Sequence, residues 1–361
     1  MSIWKYAERF VGAEPPFQLT LGEGDTPLVP SRSIGPKAGF KHLYYKLESL
    51  NPTGSYKDRF AAAAVADMLM QGKKRCVATS SGNTGSALAA WCAAAGLACH
   101  IAIVDTAPQG KLLQMLAYGA RLYRIKGFGT DPEITQRTFE TAQQIGNQQD
   151  SSLQISAFRY SPAGMNGVQT ISFELIDQLG KSPEHVFCPA GGGGLTLAVA
   201  RGFEVSISDT AGDKVHPRIH CVQPSGNNTI AGPLSNGSEA ASPVQCTSQI
   251  SGLQVPSVID GDEVIAACRA SGGTGHVVED DEVYALQSRL ASEEGIFCEP
   301  AGAVALAGAL RARKSQKVAA DDSVVCLVTG SGFKDLESVE RVVATRECPR
   351  IDLDQFSDCM A

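Results

Sequence analysis

A chain of 361 residues, 43% of them hydrophobic, can bury a large core, as one large domain or as two medium ones sharing a cleft. Its net charge of −7, with no Lys/Arg block above scattered surface charge, argues against nucleic acid or any other polyanion as partner. The first residues, MSIWKYAERF, lack a charged-then-apolar signal pattern, and no uninterrupted apolar run approaches roughly 18 residues.

A globular cytosolic protein with no membrane partner is therefore expected. Eleven cysteines are scattered from Cys76 to Cys359 without a C-x-x-C pair, mostly inside apolar segments, which reads as reduced core thiols. His216 and His220 stand four apart in "HPRIH", but that segment contains proline and looks like a strand, so no metal site is expected.

In chain order, the first pointed feature is "NPTGSYKDRF", Asn51 to Phe60, which places Lys57 between a turn and an alanine-rich apolar stretch. Strand-like and helix-like runs then alternate: "RCVATS" with "TGSALAAWCAAAG", "CHIAIV" with "GKLLQMLAYG", "RLYRIK" with "PEITQRTFETAQQIG". The same alternation returns later, in "HVFCPA" before a glycine run and "LTLAVARGFEV", in "IHCVQP", and in "AGAVALAGALRAR" before "SVVCLVTG". Alternation of this kind predicts parallel sheets covered by helices on both faces. The stretch from Gly226 to Pro256 is rich in Ser, Asn, Gly and Pro and reads as an irregular excursion. The expected fold is α/β, with two lobes, each an open, twisted, mostly parallel sheet, and a cleft between them.

Three loops fall at predicted strand C-termini, where such sheets bind ligands. "TSSGNTGSA", Thr79 to Ala87, offers hydroxyl and backbone donors suited to a carboxylate, although Ser, Asn and Gly are also what a plain helix cap requires. In "PAGGGGLTLAV", Gly191, Gly192, Gly193 and Gly194 leave the backbone free to present consecutive N–H groups to a phosphate. A dinucleotide-binding dehydrogenase would also end a strand with glycines, but the G-x-G-x-x-G spacing and its acidic partner are not convincingly present. In "LVTGSGFKD", Thr329 or Ser331 could hydrogen-bond a buried ring nitrogen, or simply form a turn.

A lysine at a helix start gains nothing from the helix dipole, so Lys57 is an odd choice for structure unless it is merely a solvated surface residue. A cleft lysine that loses its proton can form a Schiff base, and a nearby phosphate nest would anchor an aldehyde cofactor carrying one phosphate. Pyridoxal 5′-phosphate has both handles.

The strings "NPTGSYKDR", "SSGNTG", "PAGGGG" and "VTGSGFKD", in this order and at these separations, resemble the fold-type II pyridoxal-phosphate enzymes, and within them most closely threonine synthases, over roughly Leu21 to Val343. The resemblance implies that Lys57 is the Schiff-base lysine and Asn83 hydrogen-bonds the cofactor's phenolic oxygen. By the same resemblance Ser80, Ser81 and Thr84 bind the substrate carboxylate, Gly191 to Gly194 hold the cofactor phosphate, and Thr329 faces the pyridine nitrogen. It further implies a larger cofactor-binding lobe from 1–60 plus 160–350, a smaller mobile lobe from 61–159, a C-terminal tail from 351–361, a small amino-acid substrate and a homodimer.

The pattern breaks in one place. Where threonine synthases carry Asn-Ser-x-Asn-Pro-x-Arg before Gly-Gln-Lys-Thr, aligning "GVQT" puts Phe158, Arg159 and Gly164 at the Asn, Ser and Arg positions. Arg159 either supplies the missing charge from a neighbouring position or makes a structural salt bridge. "PAGGGGL" and "CEPAGA" look more like serine and threonine dehydratases, and there Glu299 lies near the cofactor ring or serves only as a helix N-terminal carboxylate. The expected activity is that of a threonine synthase-like lyase, with a serine/threonine dehydratase or a β-replacement enzyme as the alternative. A binding protein that kept the fold without the chemistry is a further alternative.

Overall fold

The computed structural model describes residues 2–10, 14–107, 109–208 and 216–360. Ten strands alternate with helices: β1 (Leu28–Pro30), β2 (His42–Lys46), β3 (Arg75–Ala78), β4 (Ala98–Ile103), β5 (Arg121–Arg124), β6 (Ser151–Leu153), β7 (His185–Pro189), β8 (Arg218–Pro224), β9 (Gly275–Val278) and β10 (Ser323–Leu327). They form two sheets, one of six strands ordered β1-β2-β10-β7-β8-β9 and one of four ordered β5-β4-β3-β6. Every pairing is parallel except β1 with β2, an antiparallel edge that the sequence pattern did not announce. The expected pair of mostly parallel sheets is thus present.

The Lys57–Met70 helix explains its own alanine run. Residues 58 to 66 are all buried, so there is no polar face to present, and small side chains allow a second helix to come close. That partner is Pro162–Val168, where a methyl group on Gly167 would stand 2.4 Å from the Arg59 carbonyl oxygen and one on Gly164 would stand 2.6 Å from the Phe60 ring. Backbone approach of this kind fixes the helix that begins with Lys57.

Two residues beyond Lys57, Arg59 is fully buried between two carboxylates. Its Nε and Nη2 donate to Glu48 at 2.7 Å each, and Nη1 and Nη2 donate to Glu174 at 2.6 and 2.8 Å. Lys46 Nζ adds a 2.6 Å contact to Glu174. Burial alone would raise Glu174, but the Arg59 guanidinium and the Lys46 amine outweigh it and hold the carboxyl down to about 2. The network ties β2, the Glu48–Leu50 turn, the Lys57–Met70 helix and the Thr170–Leu179 helix into one block.

All eleven cysteines are free, and eight are buried, in keeping with core thiols. Cys76, Cys92 and Cys99, far apart in sequence, converge within 4.8 Å of one another because β3, β4 and the Asn83–Ala95 helix meet there. Among the described residues no helix is long and apolar enough to cross a membrane.

On the neighbouring strands β7, β8 and β9 of the large sheet, three rings form a buried chain. His185 Nδ1 lies 2.9 Å from His220 Nε2, His220 Nδ1 lies 3.2 Å from His276 Nε2, and His185 Nε2 lies 3.2 Å from Asp322. Burial, reinforced by Lys317 and Arg311, pushes His276 down to about 4, and burial also lowers His185 and His220. The native state therefore holds these rings neutral, while an unfolded histidine takes up a proton near pH 6.5. Stability is fully present above about pH 6.5 and is lost progressively as the pH falls towards 4. Urea melts should show the midpoint dropping over that interval, with about 3 kcal/mol attributable to His276 alone. A midpoint flat from pH 7 to 4.5 contradicts this.

Candidate active site

The turn before Lys57 is held from both sides. Asp58 accepts from Thr53 N at 2.8 Å and Thr53 Oγ1 at 2.6 Å, closing the Pro-Thr-Gly-Ser-Tyr loop from the helix's first turn. Opposite, Ser55 bridges Gly330, and Tyr56 N donates to the Thr329 carbonyl at 3.1 Å. The loop that follows β10 is thereby fastened to the segment carrying the lysine.

Lys57 is the first residue of its helix, and its amine points into protein. Nζ donates to Tyr56 Oη at 2.5 Å and to Ser156 Oγ at 2.8 Å, and lies 4.3 Å from the Tyr56 ring centre. Burial pulls the amine down to about 7, with Glu299 and Asp260 opposing part of the fall. A large fraction is thus an uncharged nucleophile at neutral pH, which an exposed lysine is not.

Ser156 leads to the glycine loop. A methyl group on Gly194 would stand 3.2 Å from the Ser156 carbonyl oxygen and 3.3 Å from an Asp260 carboxylate oxygen. The Gly191–Gly194 stretch joins β7 to the Gly194–Ser208 helix, and Gly193 has φ +98°, a conformation that favours glycine. Asp260 holds the surroundings: its carboxylate accepts from Phe158 N at 2.8 Å and Arg159 N at 3.1 Å, and its own N–H donates to the Gly192 carbonyl at 3.1 Å.

Thr329 is 4% exposed, and its Oγ1 is buried with no hydrogen-bond partner. A hydroxyl left so, beside the lysine segment, is short of a ligand atom. Next to it, a Cβ on Gly330 would meet Glu299 Oε1 at 2.1 Å, so any larger residue there would displace the Glu299 carboxyl. Glu299 is buried, which pushes its carboxyl up to about 7 against the opposing pull of Asn83 and Lys334. Asn83 Nδ2 donates to its two oxygens at 2.9 and 3.2 Å.

Ser80 and Ser81, in the turn between β3 and the Asn83–Ala95 helix, and Thr84, in that helix's first turn, are half-buried. Ser80 Oγ accepts from Gly82 N at 3.4 Å and Gly85 N at 3.3 Å. Beside Asn83 and Glu299 lies a cavity of about 70 Å³, also lined by Ser86, Lys111, Gln114, Ser251 and Lys334. A larger hollow of about 190 Å³, near Phe203, His216 and Ala267, holds none of these groups.

Arg159 is not drawn into this assembly. Its backbone N–H serves Asp260, while its side chain is exposed, with the guanidinium 6.0 Å from the Tyr160 ring and no hydrogen bond or ion pair to any described residue. Sequence reading missed Ser156, Asp260, Lys111 and Lys334. Lys111 and Lys334 carried a signal, standing in the quoted strings "GKLLQMLAYG" and "LVTGSGFKD".

The residues present fit pyridoxal 5′-phosphate on observations of this structure: a half-neutral buried lysine, an anion-ready glycine turn, and an orphaned hydroxyl. Two parallel sheets that converge such groups at their strand ends define a cofactor-dependent enzyme of the two-lobed α/β type. Residues 19–330 match the family described as "Pyridoxal-phosphate dependent enzyme", and the chain belongs to that family. A curated threonine synthase of Methanosarcina acetivorans is 32% identical over 346 residues, covering 94% of this chain and 81% of that protein. Another, from Synechocystis, is 34% identical over 319 residues, covering 88% and 78%. Among solved structures, processed threonine deaminase isoform 2 of Solanum lycopersicum superposes with a TM-score of 0.75 at 21% identity, covering 96% of this chain and 94% of that one. At that identity the likeness shows the fold alone.

Proposed function

We propose that this enzyme is a threonine synthase, converting O-phosphohomoserine and water to threonine and phosphate with pyridoxal phosphate held at Lys57. The observation that carries the reading is the identity of 32% and 34% to curated threonine synthases across 94% and 88% of the chain.

Bound pyridoxal phosphate supplies an electron sink for the substrate's α and β carbons. Lys57 anchors the cofactor and moves the proton at the substrate Cα, a task suited to an amine titrating near 7. The Gly191–Gly194 N–H groups hold the cofactor phosphate. Thr329 Oγ1 would hydrogen-bond the pyridine nitrogen, and a neutral hydroxyl there would not keep that nitrogen protonated, which would favour substrates with a good leaving group. Asn83, whose amide here donates to Glu299, would instead hydrogen-bond the cofactor's phenolic oxygen. Ser80, Ser81 and Thr84, with the N–H groups at the start of the Asn83–Ala95 helix, take the substrate carboxylate. Residues 1–60 plus 160–350 form the cofactor-binding lobe and 61–159 the smaller one, a division supported by the four-stranded sheet running from β3 to β6. By resemblance the working form is a cytosolic homodimer.

Product analysis tests this. Holoenzyme given O-phospho-L-homoserine should release threonine and inorganic phosphate in equal amounts. Release of a 2-oxo acid and ammonia from serine or threonine, with no turnover of the phosphorylated substrate, replaces this reading by that of a dehydratase.

A further inference from the structure

The geometry points to a second anion site in the cleft, in which Lys111 and Lys334 together bind the phosphate group at the far end of the substrate. The inference rests on the threonine synthase reading for the identity of that phosphate, and on the structure for the site.

The cavity beside Asn83 is the opening. One wall is the first turn of the Asn83–Ala95 helix, with Asn83 and Ser86, and another is the Gln109–Ala117 helix, with Lys111 and Gln114. Ser251 and Lys334 come from the side of the six-stranded sheet. The opening is lined by two lysines, two amides and two hydroxyls beside the Glu299 carboxyl, a donor set suited to a tetrahedral oxyanion.

Its donors are preplaced. Lys111 Nζ donates to Ser251 Oγ at 2.6 Å and stands 3.5 Å from an Asp335 oxygen. Lys334 Nζ donates to Gln114 Oε1 at 2.5 Å and to the Thr53 carbonyl at 3.1 Å. An ammonium has three protons, so each lysine keeps one for a ligand after these contacts. The Thr53 carbonyl belongs to the turn that precedes Lys57, so an anion on Lys334 is held in register with the reacting amine. Lys111 and Lys334 stand on elements of the two different sheets, so one ligand bonded to both bridges the cleft.

The site also accounts for the break in the sequence pattern. Arg159, the cation nearest to that break, has its side chain exposed, whereas Lys111 and Lys334 bring two cations to the cavity, set against the Glu299 carboxyl in its lining and the Asp335 carboxylate 3.5 Å from Lys111.

The test has two arms, both on cofactor-loaded protein so that the glycine loop is occupied. Calorimetric titration with inorganic phosphate should show one site in the wild type, weakened at least tenfold in Lys111→Met and in Lys334→Met and kept within about threefold in Lys111→Arg. Lack of phosphate binding to the wild type, or equal binding in all variants, overturns the site. If Lys334→Met does not fold, Lys111→Met and Lys111→Arg decide. In the second arm, Lys111→Met should raise KM for O-phospho-L-homoserine at least tenfold, while the shift in the cofactor's absorbance on adding unphosphorylated L-homoserine keeps its midpoint. Should the wild type turn over no phosphorylated amino acid while the phosphate titration behaves as stated, the substrate reading fails and the anion site stands.

Discussion

Lys57→Ala is expected to abolish the visible absorbance of the lysine-linked cofactor and to cut turnover by about 10⁴-fold, the upper end of what one positioned general base supplies. Both losses come from the same atom. Nζ lies 2.8 Å from Ser156 Oγ in a setting that brings it to about 7, and on the proposed reading it both anchors the cofactor and carries the proton at Cα. Neighbouring residues do not replace it, because Lys46 is committed to Glu174 at 2.6 Å and Lys334 to Gln114. Folding should be untouched or slightly improved, since the substitution removes a buried amine that desolvation already penalises. Absorbance spectra of reconstituted wild type and variant, with turnover under saturating substrate, check the prediction. A variant retaining the band, or a tenth of wild-type turnover, contradicts it.

Arg59→Met should instead cost stability, by about 3–5 kcal/mol, the usual penalty for removing one partner from a buried ion pair. Glu48 is fully buried and Glu174 nearly so, and only Lys46 would remain to offset two carboxylates. Against a total of roughly 5–15 kcal/mol for a typical domain, that is a third or more of the whole. The Lys57 helix would lose its tie to β2, so cofactor affinity should fall together with stability. Urea unfolding of the apo and loaded forms measures both, and a loss below about 1 kcal/mol in the apo form contradicts the role assigned to the network.

Much of this molecule was legible in its sequence because the signals were local. Alternating apolar runs and alanine-rich stretches gave the two parallel sheets, and the glycine and hydroxyl clusters gave the loops at their strand ends. What stayed hidden depends on distant segments meeting. Ser156 reaches Lys57 across 99 positions, and Lys334 reaches Gln114 across 220, with nothing in either neighbourhood to mark the pairing. Arg159 drew attention because it stood next to a gap in a motif. In the fold, its backbone serves Asp260 and its side chain faces outward, a direction that no sequence spacing encodes. Asp260 itself sits in "VIDGDEV", where it looks like an ordinary helix cap. The thiol cluster of Cys76, Cys92 and Cys99 escaped for the same reason as the lysines, since its members lie on three separate elements.

The central claim, that Lys57 carries the cofactor between the glycine loop and Thr329, is tested most directly by fixing the link chemically. Reducing the loaded protein with borohydride turns the lysine–cofactor bond into a stable adduct, which peptide mass mapping then locates. The account predicts a single adduct, on the peptide containing Lys57, formed in protein reconstituted near pH 7, where the amine titrates. An adduct on another lysine, or no adduct in protein that has taken up pyridoxal phosphate, would contradict it.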